Sequence, residues 1–253
     1  PASLPSHSPA SSSSSSTSTD DIALAQLELT FQYAHTVAAL SFIARAARPD
    51  FVFTANLLAR FMGNPQRIHY DALRQLLRYI KGTIDLEIRY DADADDTIRH
   101  YCDASHQDDV DTRHSTLGYV TTWKGAAIDY HSRKSDRVAD SSAESELYGL
   151  HHATKKVLAL AKDLRHLHII DNNASITISV DNEATCTNVN NRYQFGRMRH
   201  IDAAFMMVHE RVAHNEINLT HVAGTDNPAD LFTKALPEAT FLKHRHTIMG
   251  AQS

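Results

Sequence analysis

The sequence predicts an α/β fold in which a mixed five-stranded sheet is flanked by helices and preceded by a small helical segment. Three observations predict it. Helical periodicity dominates residues 21–82, strand-like segments follow one another from residue 97, and helices then alternate with strands. Consecutive strands favour antiparallel pairing and the later alternation favours parallel pairing, so we expect a mixed sheet. The 253 residues suffice for one domain with an appendage, or for two small domains.

The first part of the chain is predicted to be a tail followed by three helices. Residues 1–20 are rich in Ser and Pro, which is typical of a disordered tail or linker. From residue 21, apolar residues recur at three- and four-residue steps, with breaks at Pro49 and at Gly63, and Gly82 closes the third helix. Residues 86–90 alternate like a strand, so the helical segment is assigned to residues 21–90.

The second part, residues 91–240, carries the sheet. Strands are predicted at TIRHYCDAS, TLGYVTTWKG, AAIDYHS, SITISV and INLTHV, with a tight hairpin turn at Lys124–Gly125. A long helix is predicted from about Ser142 to Leu167, with further helices at DNEATCTNVNN, RHIDAAFMMVHERVAHN and DNPADLFTKAL. The remaining residues, 241–253, are expected to form a C-terminal tail.

Composition excludes several classes of protein. No apolar run approaches the roughly 20 residues that a membrane span needs, and no signal peptide leads the chain, so we expect no membrane contact and no secretion. Two cysteines exclude a disulfide framework and a four-cysteine zinc site. The net charge of -5 excludes a strongly basic nucleic-acid binder, so affinity for a polyanion requires local patches, metal ions or a larger assembly.

Two glutamates open the long helix, and periodicity separates them. Ser141 and Glu144 fit a capping box, which places Glu144 on a polar, solvated face and explains it structurally. Glu146 shares its face with Leu150 and Val157, so it lies on the stripe that must pack on the sheet. A charged glutamate there costs several kcal/mol if it is left without a partner. Glu146 therefore requires a metal, a cation or a special role.

Three aspartates are placed to meet Glu146. Asp103 and Asp181 end predicted strands, and Asp230 lies near the start of the predicted closing helix. Four carboxylates in one pocket repel one another, which hard divalent cations would relieve. Each aspartate also has a structural interpretation: Asp103 as a turn residue, Asp181 as an N-cap, and Asp230 as a helix residue behind the better N-cap Asp226.

These segments resemble the ribonuclease H domain of copia-type LTR retrotransposon Pol polyproteins. The motifs are YCDASHQDDVDTRHSTLGYV, SSAESELYGL, VDNEAT, RMRHIDAAFMMVHERV and GTDNPADLFTKALP. Upstream, RPDFVFTANLLARFMGNPQRIHYDALRQLLRYIKGT resembles the segment that connects reverse transcriptase to ribonuclease H. No Tyr-x-Asp-Asp polymerase motif is present in the chain.

The resemblance implies a ribonuclease H-like fold and an endonuclease that cuts the RNA strand of RNA–DNA hybrids. It assigns Asp103, Glu146, Asp181 and Asp230 as catalytic metal ligands for two Mg²⁺ ions, with Mn²⁺ as an alternative. The implied partners are the hybrid and the reverse transcriptase domain of the parent polyprotein. The implied location is cytoplasmic, in a virus-like particle, or nuclear.

Cations near the predicted site are candidate contacts for the hybrid. They are Arg133, Lys134, Arg137, Arg192, Arg197, Arg199 and His200. A solvated loop is the alternative interpretation of these residues. At the level of the whole chain, the alternative is a catalytically silent retrotransposon-derived fragment that acts as a nucleic-acid-binding or interaction module. An integrase of similar fold fits less well, because there the helical glutamate follows two aspartates.

Overall fold

The structure, a computed structural model, describes residues 19–191 and 202–250. Its strands are β1 (Arg99–Ser105), β2 (Thr116–Trp123), β3 (Ala126–Lys134), β4 (Ile176–Val180) and β5 (Ile217–His221). Its helices are α1 (Thr19–Ala47), α2 (Val52–Ala59), α3 (Arg67–Gly82), α4 (Ser142–His166), α5 (Glu183–Asn191), α6 (Asp202–Ala213) and α7 (Glu238–Met249). Most of the predicted tail, residues 1–18, lies outside the described residues.

The five strands form one mixed sheet in the order β3-β2-β1-β4-β5. β1, β2 and β3 pair antiparallel, whereas β4 pairs parallel with both β1 and β5. The hairpin between β2 and β3 turns at Lys124 (φ 51°) and Gly125 (φ 79°), and two successive positive φ values suit the right-handed twist of the flanking strands. The predicted α/β fold, a mixed five-stranded sheet flanked by helices and preceded by a helical segment, is confirmed.

Side-chain alternation along the strands divides the core between the two faces of the sheet. On β2, Tyr119 packs with the α4 face and its neighbour Val120 packs with the opposite face. The first core contains Leu150 and Val157 of α4, both fully buried, together with apolar residues of β4, β5 and α6. This burial confirms that the stripe that carries Glu146 packs on the sheet.

The opposite face of the sheet is covered by the N-terminal helices and α7. Tyr33, Val37 and Phe51 lie in the same apolar cluster as Phe232, which follows the last strand. A buried ion pair also orders this region, because the Arg48 guanidinium donates to both carboxylate oxygens of Asp50 at 2.9 and 2.7 Å. The three predicted N-terminal helices are present, and they share a continuous core with the sheet. The predicted boundary at residue 90 stays a prediction.

Two expectations about the end of the chain are wrong. Residues 241–253 do not start a tail, because α7 runs to Met249 and both Ile248 and Met249 are fully buried. The segment DNPADLFTKAL contains the short 3-10 helix Pro228–Phe232, where one longer helix was predicted, and another 3-10 helix, Gly224–Asp226, ends at its first residue. The tail prediction failed because polar residues interrupt the apolar pattern of α7.

Residues 86–90 are also not a strand of the sheet. The segment makes two long-range hydrogen bonds instead. The backbone amide of Arg89 donates to the carbonyl of Met249 at 2.8 Å, and the side-chain hydroxyl of Tyr90 donates to the carbonyl of Ala127 at 2.7 Å. The segment therefore links the helical part to α7 and to the sheet. Within the described ranges, no helix combines the length and apolarity needed to cross a bilayer.

Candidate active site

Three carboxylates meet at one edge of the sheet. Asp103 lies in the second half of β1 and is 2% exposed, Asp181 follows β4 directly, and Glu146 lies in the second turn of α4. One oxygen from each carboxylate lies within 4.8 Å of the others. β1 and β4 are parallel neighbours, so their carboxyl ends reach the same edge. The sheet topology thus brings together three of the four predicted ligands.

A close approach of α4 to β1 places the glutamate. A Cβ atom built on Gly149 would lie 3.0 Å from the Cβ of Ala104 and 3.3 Å from the carbonyl oxygen of Asp103. Such distances are tighter than most Cβ contacts, so a side chain here would press the helix away from the strand. Gly149 lies one helical turn after Glu146, and this contact sets how far the Glu146 carboxylate stands from β1.

Asp230 joins the cluster through a lysine. It lies in the 3-10 helix Pro228–Phe232, not in a longer helix as predicted. The Nζ atom of Lys234 is 3.0 Å from Asp230 Oδ1 and 3.4 Å from Asp103 Oδ2. The hydroxyl of the buried Thr233 donates to the same Asp103 oxygen. The ammonium group of Lys234 therefore links the fourth predicted carboxylate, Asp230, to Asp103, which is one of the other three.

The 3-10 helix is held against the sheet by contacts that the sequence analysis did not identify. The buried Asn227 caps it, accepting from the amide of Ala229 at 3.1 Å and donating to the carbonyl of Cys102 at 3.0 Å. A Cβ on Gly118, which pairs with Asp103 across the strands, would lie 2.7 Å from the Cβ of Phe232. The predicted N-cap Asp226 is wrong, because that residue pairs with Lys243 on the surface.

Burial and mutual repulsion raise the pKa values of these acids. Burial and the charges of Asp103 and Asp181 raise the pKa of Glu146 to about 9. Burial and the charge of Asp103 raise the pKa of Asp230 to about 6, and the same causes raise the pKa of Asp181. Burial alone would lower the pKa of Lys234, but the carboxylates around it raise it. The site therefore attracts positive charge.

The two glutamates of α4 have different partners, and Glu144 is more buried than expected. Ser141 caps α4, since its hydroxyl accepts from the amide of Glu144 at 3.2 Å. The Glu144 carboxylate accepts from the amide of Asp140 at 2.7 Å and from the hydroxyl of Tyr148 at 2.7 Å. Glu144 is only 6% exposed, so the expected solvated face is wrong: these hydrogen bonds satisfy its carboxylate under cover. These hydrogen bonds of Glu144 stabilise the start of α4.

The structural alternatives for two aspartates are also resolved. Asp103 lies within β1 and is not a turn residue. Asp181 does not cap α5, because the amide of Thr185 donates at 2.9 Å to the side chain of Asn182 instead. Asp181 therefore does not serve as a helix cap. A Cβ atom built on Gly224 would lie 3.6 Å from Oδ2 of Asp181. Gly224 lies just beyond β5.

Three of the candidate cations for nucleic-acid binding are described, and they differ in environment. Arg133 and Arg137 line a groove of about 420 Å³, and the same groove is also lined by Tyr148, His151 and Lys155 of α4. Arg133 also pairs with the exposed Asp136. The remaining candidates lie outside the described residues: Arg192, Arg197, Arg199 and His200.

Lys134 contacts the loop between β1 and β2. Its Nζ atom is 3.5 Å from Asp109 Oδ2 and donates to the hydroxyl of Thr112 at 3.4 Å. Arg60, the residue after α2, binds the same aspartate at 3.3 Å, so Arg60 and Lys134 together hold the acidic loop between β1 and β2. Lys134 and Arg133 each have an acidic partner, Asp109 and Asp136.

The sequence analysis missed Thr233 and Lys234 as site residues. Only one signal could have identified Lys234: it follows Asp230 by four residues, a spacing at which opposite charges pair on a helix. Nothing in the local pattern indicates that either residue reaches Asp103. Their partner is 130 residues away along the chain.

A divalent cation fits these residues. The donors are carboxylate oxygens, which hard divalent ions prefer, and they are buried or partly buried on three different elements. The ammonium of Lys234 already stands between two of the acids as a positive charge. Both the ligand chemistry and the charge of the pocket suit a metal such as Mg²⁺ or Mn²⁺.

Fold and site together define an α/β protein with a mixed five-stranded sheet and an acidic centre at one edge of that sheet. The chain is 27% identical over 209 residues to the retrovirus-related Pol polyprotein from transposon TNT 1-94 of Nicotiana tabacum, covering 83% of this chain and 16% of that protein. It is 28% identical over 210 residues to the Pol polyprotein from transposon RE2 of Arabidopsis thaliana, covering 83% and 14%. The chain is therefore a relative of the retrotransposon Pol polyproteins, as predicted, and spans a small part of their length.

The chain is also similar to a shorter protein and to a solved structure. The chain is 30% identical over 128 residues to the secreted RxLR effector protein 161 of Plasmopara viticola, covering 51% of this chain and 90% of that protein. Among solved structures, LC11-RNase H1, isolated from compost by a metagenomic approach, matches with a TM-score of 0.44 and 15% identity, covering 55% of this chain and 94% of that one. No protein-family model matches the chain.

Proposed function

We propose that this chain is the ribonuclease H module of a copia-type retrotransposon Pol polyprotein, and that it hydrolyses the RNA strand of RNA–DNA hybrids with two divalent metal ions. One observation carries the proposal: the carboxylates of Asp103 in β1, Glu146 in α4 and Asp181 after β4 converge within 4.8 Å at one edge of the sheet. The relationship to Pol polyproteins supports the same function.

In the proposed site, Asp103, Glu146, Asp181 and Asp230 hold the metal ions. When bound, a pair of divalent ions supplies activation of a water molecule and stabilisation of the leaving 3′ oxygen. Thr233 orients Asp103, because its hydroxyl donates a hydrogen bond to one oxygen of that carboxylate. The buried environment strengthens every charge interaction in the pocket. Mg²⁺ is the expected ion and Mn²⁺ the expected substitute.

The groove beside α4 would hold the backbone of the hybrid. Arg133, Arg137 and Lys155 line it, and Tyr148 adds a hydroxyl. Contacts of this kind give salt-dependent affinity without sequence preference. The reverse transcriptase domain of the parent polyprotein is the second proposed partner, and a cytoplasmic virus-like particle or the nucleus is the proposed location.

Cleavage of a labelled RNA–DNA hybrid in Mg²⁺ tests the proposal. We expect the wild-type chain to shorten the RNA strand, and both Asp103→Asn and Glu146→Gln to lose at least about 100-fold of that activity, because each removes a ligand charge. The matched control is Asp163→Asn, an exposed acid on the same helix, which should cleave at the wild-type rate. Circular dichroism should show that all variants are folded.

Two results would contradict the proposal. Wild-type activity in Glu146→Gln would remove that residue from the site. A folded wild-type chain that binds the hybrid but cleaves it in neither Mg²⁺ nor Mn²⁺ would favour the catalytically silent module. The relative that is named a secreted effector gives this second candidate its support, because it corresponds to about half of this chain.

A further inference from the structure

Lys234 occupies a position at the acidic centre that the proposed reaction does not use. Its ammonium lies 3.0 Å from Asp230 Oδ1 and 3.4 Å from Asp103 Oδ2, so it bridges two acids that come from different elements. Asp230 is also the one predicted ligand outside the set of three carboxylates that lie within 4.8 Å of one another. The lysine thus holds Asp230 as an ion pair rather than as part of that set.

The side chain of Lys234 can leave this position without unfolding anything. It is 42% exposed, whereas the side chain of Asp103 is 2% exposed and that of Asp230 is 11% exposed. Lysine also carries its charge at the end of a flexible four-carbon stem. Thr233, by contrast, is fully buried and keeps its contact with Asp103 by itself. The two acids are covered, whereas the cation between them is about half exposed to solvent.

A divalent ion and this ammonium cannot share the site without repulsion. Two positive charges a few ångströms apart in a partly buried pocket repel strongly, and both draw on the oxygens of Asp103. We propose that Lys234 is a tethered counter-ion that stabilises the metal-free acidic centre and is displaced to solvent when a divalent ion binds, which frees Asp230 as a ligand. This inference rests on the metal binding of the proposed function.

The tethered ammonium has two consequences. It reduces the repulsion among the acids before metal arrives, so the empty site does not have to be neutralised by protons alone. It also weakens the apparent affinity for the metal, because the ion must first displace the lysine. The lysine therefore sets the affinity of the site for metal without being a ligand.

Lys234→Met tests both consequences, because methionine keeps most of the side-chain length and removes the charge. Titration calorimetry with Mn²⁺ should show about tenfold tighter binding than the wild type, since a competing unit charge has been removed. With a chelator, the melting temperature of the variant should be lower by about 2–4 °C, and saturating Mn²⁺ should remove the deficit. Lys234→Arg keeps the charge and should bind Mn²⁺ within about twofold of the wild type.

The matched control is Lys243→Met. Lys243 is also a half-exposed lysine paired with an aspartate, but that aspartate, Asp226, is not one of the four predicted ligands. We expect no change in its affinity for Mn²⁺. A second measurement uses the wild type alone: the rate of acetylation of Lys234 by an N-hydroxysuccinimide ester, followed by mass spectrometry, should rise when Mn²⁺ is added. The rate at Lys243 should stay constant.

The results separate this inference from the proposed function. If the wild type binds Mn²⁺ but Lys234→Met binds it no tighter, or acetylation of Lys234 does not respond to the metal, the counter-ion role is wrong and the nuclease proposal stands. If neither the wild type nor Lys234→Met binds Mn²⁺ or Mg²⁺, metal-dependent catalysis and displacement of the lysine both fail.

Discussion

At the scale of single residues, two glutamates in neighbouring positions of one helix have opposite relations to their surroundings. Both are covered, but the Glu144 carboxylate receives hydrogen bonds from Asp140 and Tyr148. Glu146 faces Asp103 and Asp181, which repel its charge. Burial by itself therefore does not distinguish a structural acid from a functional one. The groups that surround each carboxylate distinguish them: hydrogen-bond donors for Glu144 and repelling acids for Glu146.

The stability of the metal-free protein should separate the two glutamates. Burial and the charges of Asp103 and Asp181 raise the folded-state pKa of Glu146 from its ordinary value of 4.5 to about 9, so its contribution to stability is present at acidic pH and is lost as pH rises between those values. In chelator at pH 8, Glu146→Gln should therefore be more stable than the wild type by roughly 1–3 kcal/mol, and near pH 4 the difference should vanish. Urea unfolding at both pH values measures this.

Glu144→Gln provides the comparison. It replaces an acceptor of two hydrogen bonds in a buried position, so it should lose about 1–2 kcal/mol at both pH values. It should also keep hybrid cleavage, since nothing places its carboxylate in the acidic centre. Loss of cleavage in a folded Glu144→Gln, together with wild-type stability, would reverse the two roles.

At the scale of elements, α7 anchors the N-terminal helices to the sheet. Ile248 and Met249 are fully buried, and Arg245 donates to the hydroxyl of Tyr79 in α3 at 3.3 Å. The chain then turns at Gly250, whose φ of 80° and close contact with the carbonyl of Arg89 leave no space for a side chain. α7 is thus part of the core on the face opposite α4.

Truncation of a buried side chain in α7 tests this packing. Ile248→Ala should destabilise the protein by about 2–4 kcal/mol, because it leaves a cavity in a close-packed cluster. Leu242→Ala is the control, since Leu242 is 41% exposed on the same helix, and it should cost less than about 1 kcal/mol. Equal effects of the two substitutions in urea unfolding would show that this end of the chain does not pack.

At the scale of the whole molecule, a cluster of histidines makes the fold sensitive to acid. His100 of β1, His131 of β3 and His152 of α4 surround Tyr119, with ring centroids 5.2 to 6.0 Å from it. Burial, followed by the charge of His152, lowers the pKa of His100 to about 3. Burial and nearby positive charges lower the pKa of His131 and of His152 to about 4.

The resulting pH dependence has a defined sign. The unfolded chain binds protons on these histidines below pH 6.5, whereas the folded chain does not until about pH 4, so stability falls as pH drops between those values. His131→Gln should flatten this decline by about 1–2 kcal/mol between pH 6.5 and 5. The exposed His246→Gln should leave it unchanged. Urea unfolding at both pH values gives the comparison, and parallel declines in the wild type and His131→Gln would contradict it.

Much of this arrangement could be predicted from local patterns. Periodicity gave the five strands and the helices between them, since a buried stripe must repeat with the period of its element. The same reasoning selected Glu146 over Glu144, because an acid on a core-facing stripe needs a partner. Asp103 and Asp181 followed from their positions at strand ends.

Other features were beyond local patterns because they depend on contacts between distant parts of the chain. α7 is buried because it packs against β3 and the 3-10 helices Pro49–Phe51 and Pro228–Phe232, which its own polar sequence does not indicate. The segment around Asp230 is a 3-10 helix because Gly118 lets it dock on β2. Lys234 reaches Asp103 only after that docking. Periodicity along the chain reports which face of an element is buried, but which charges then meet is decided when those faces pack against one another.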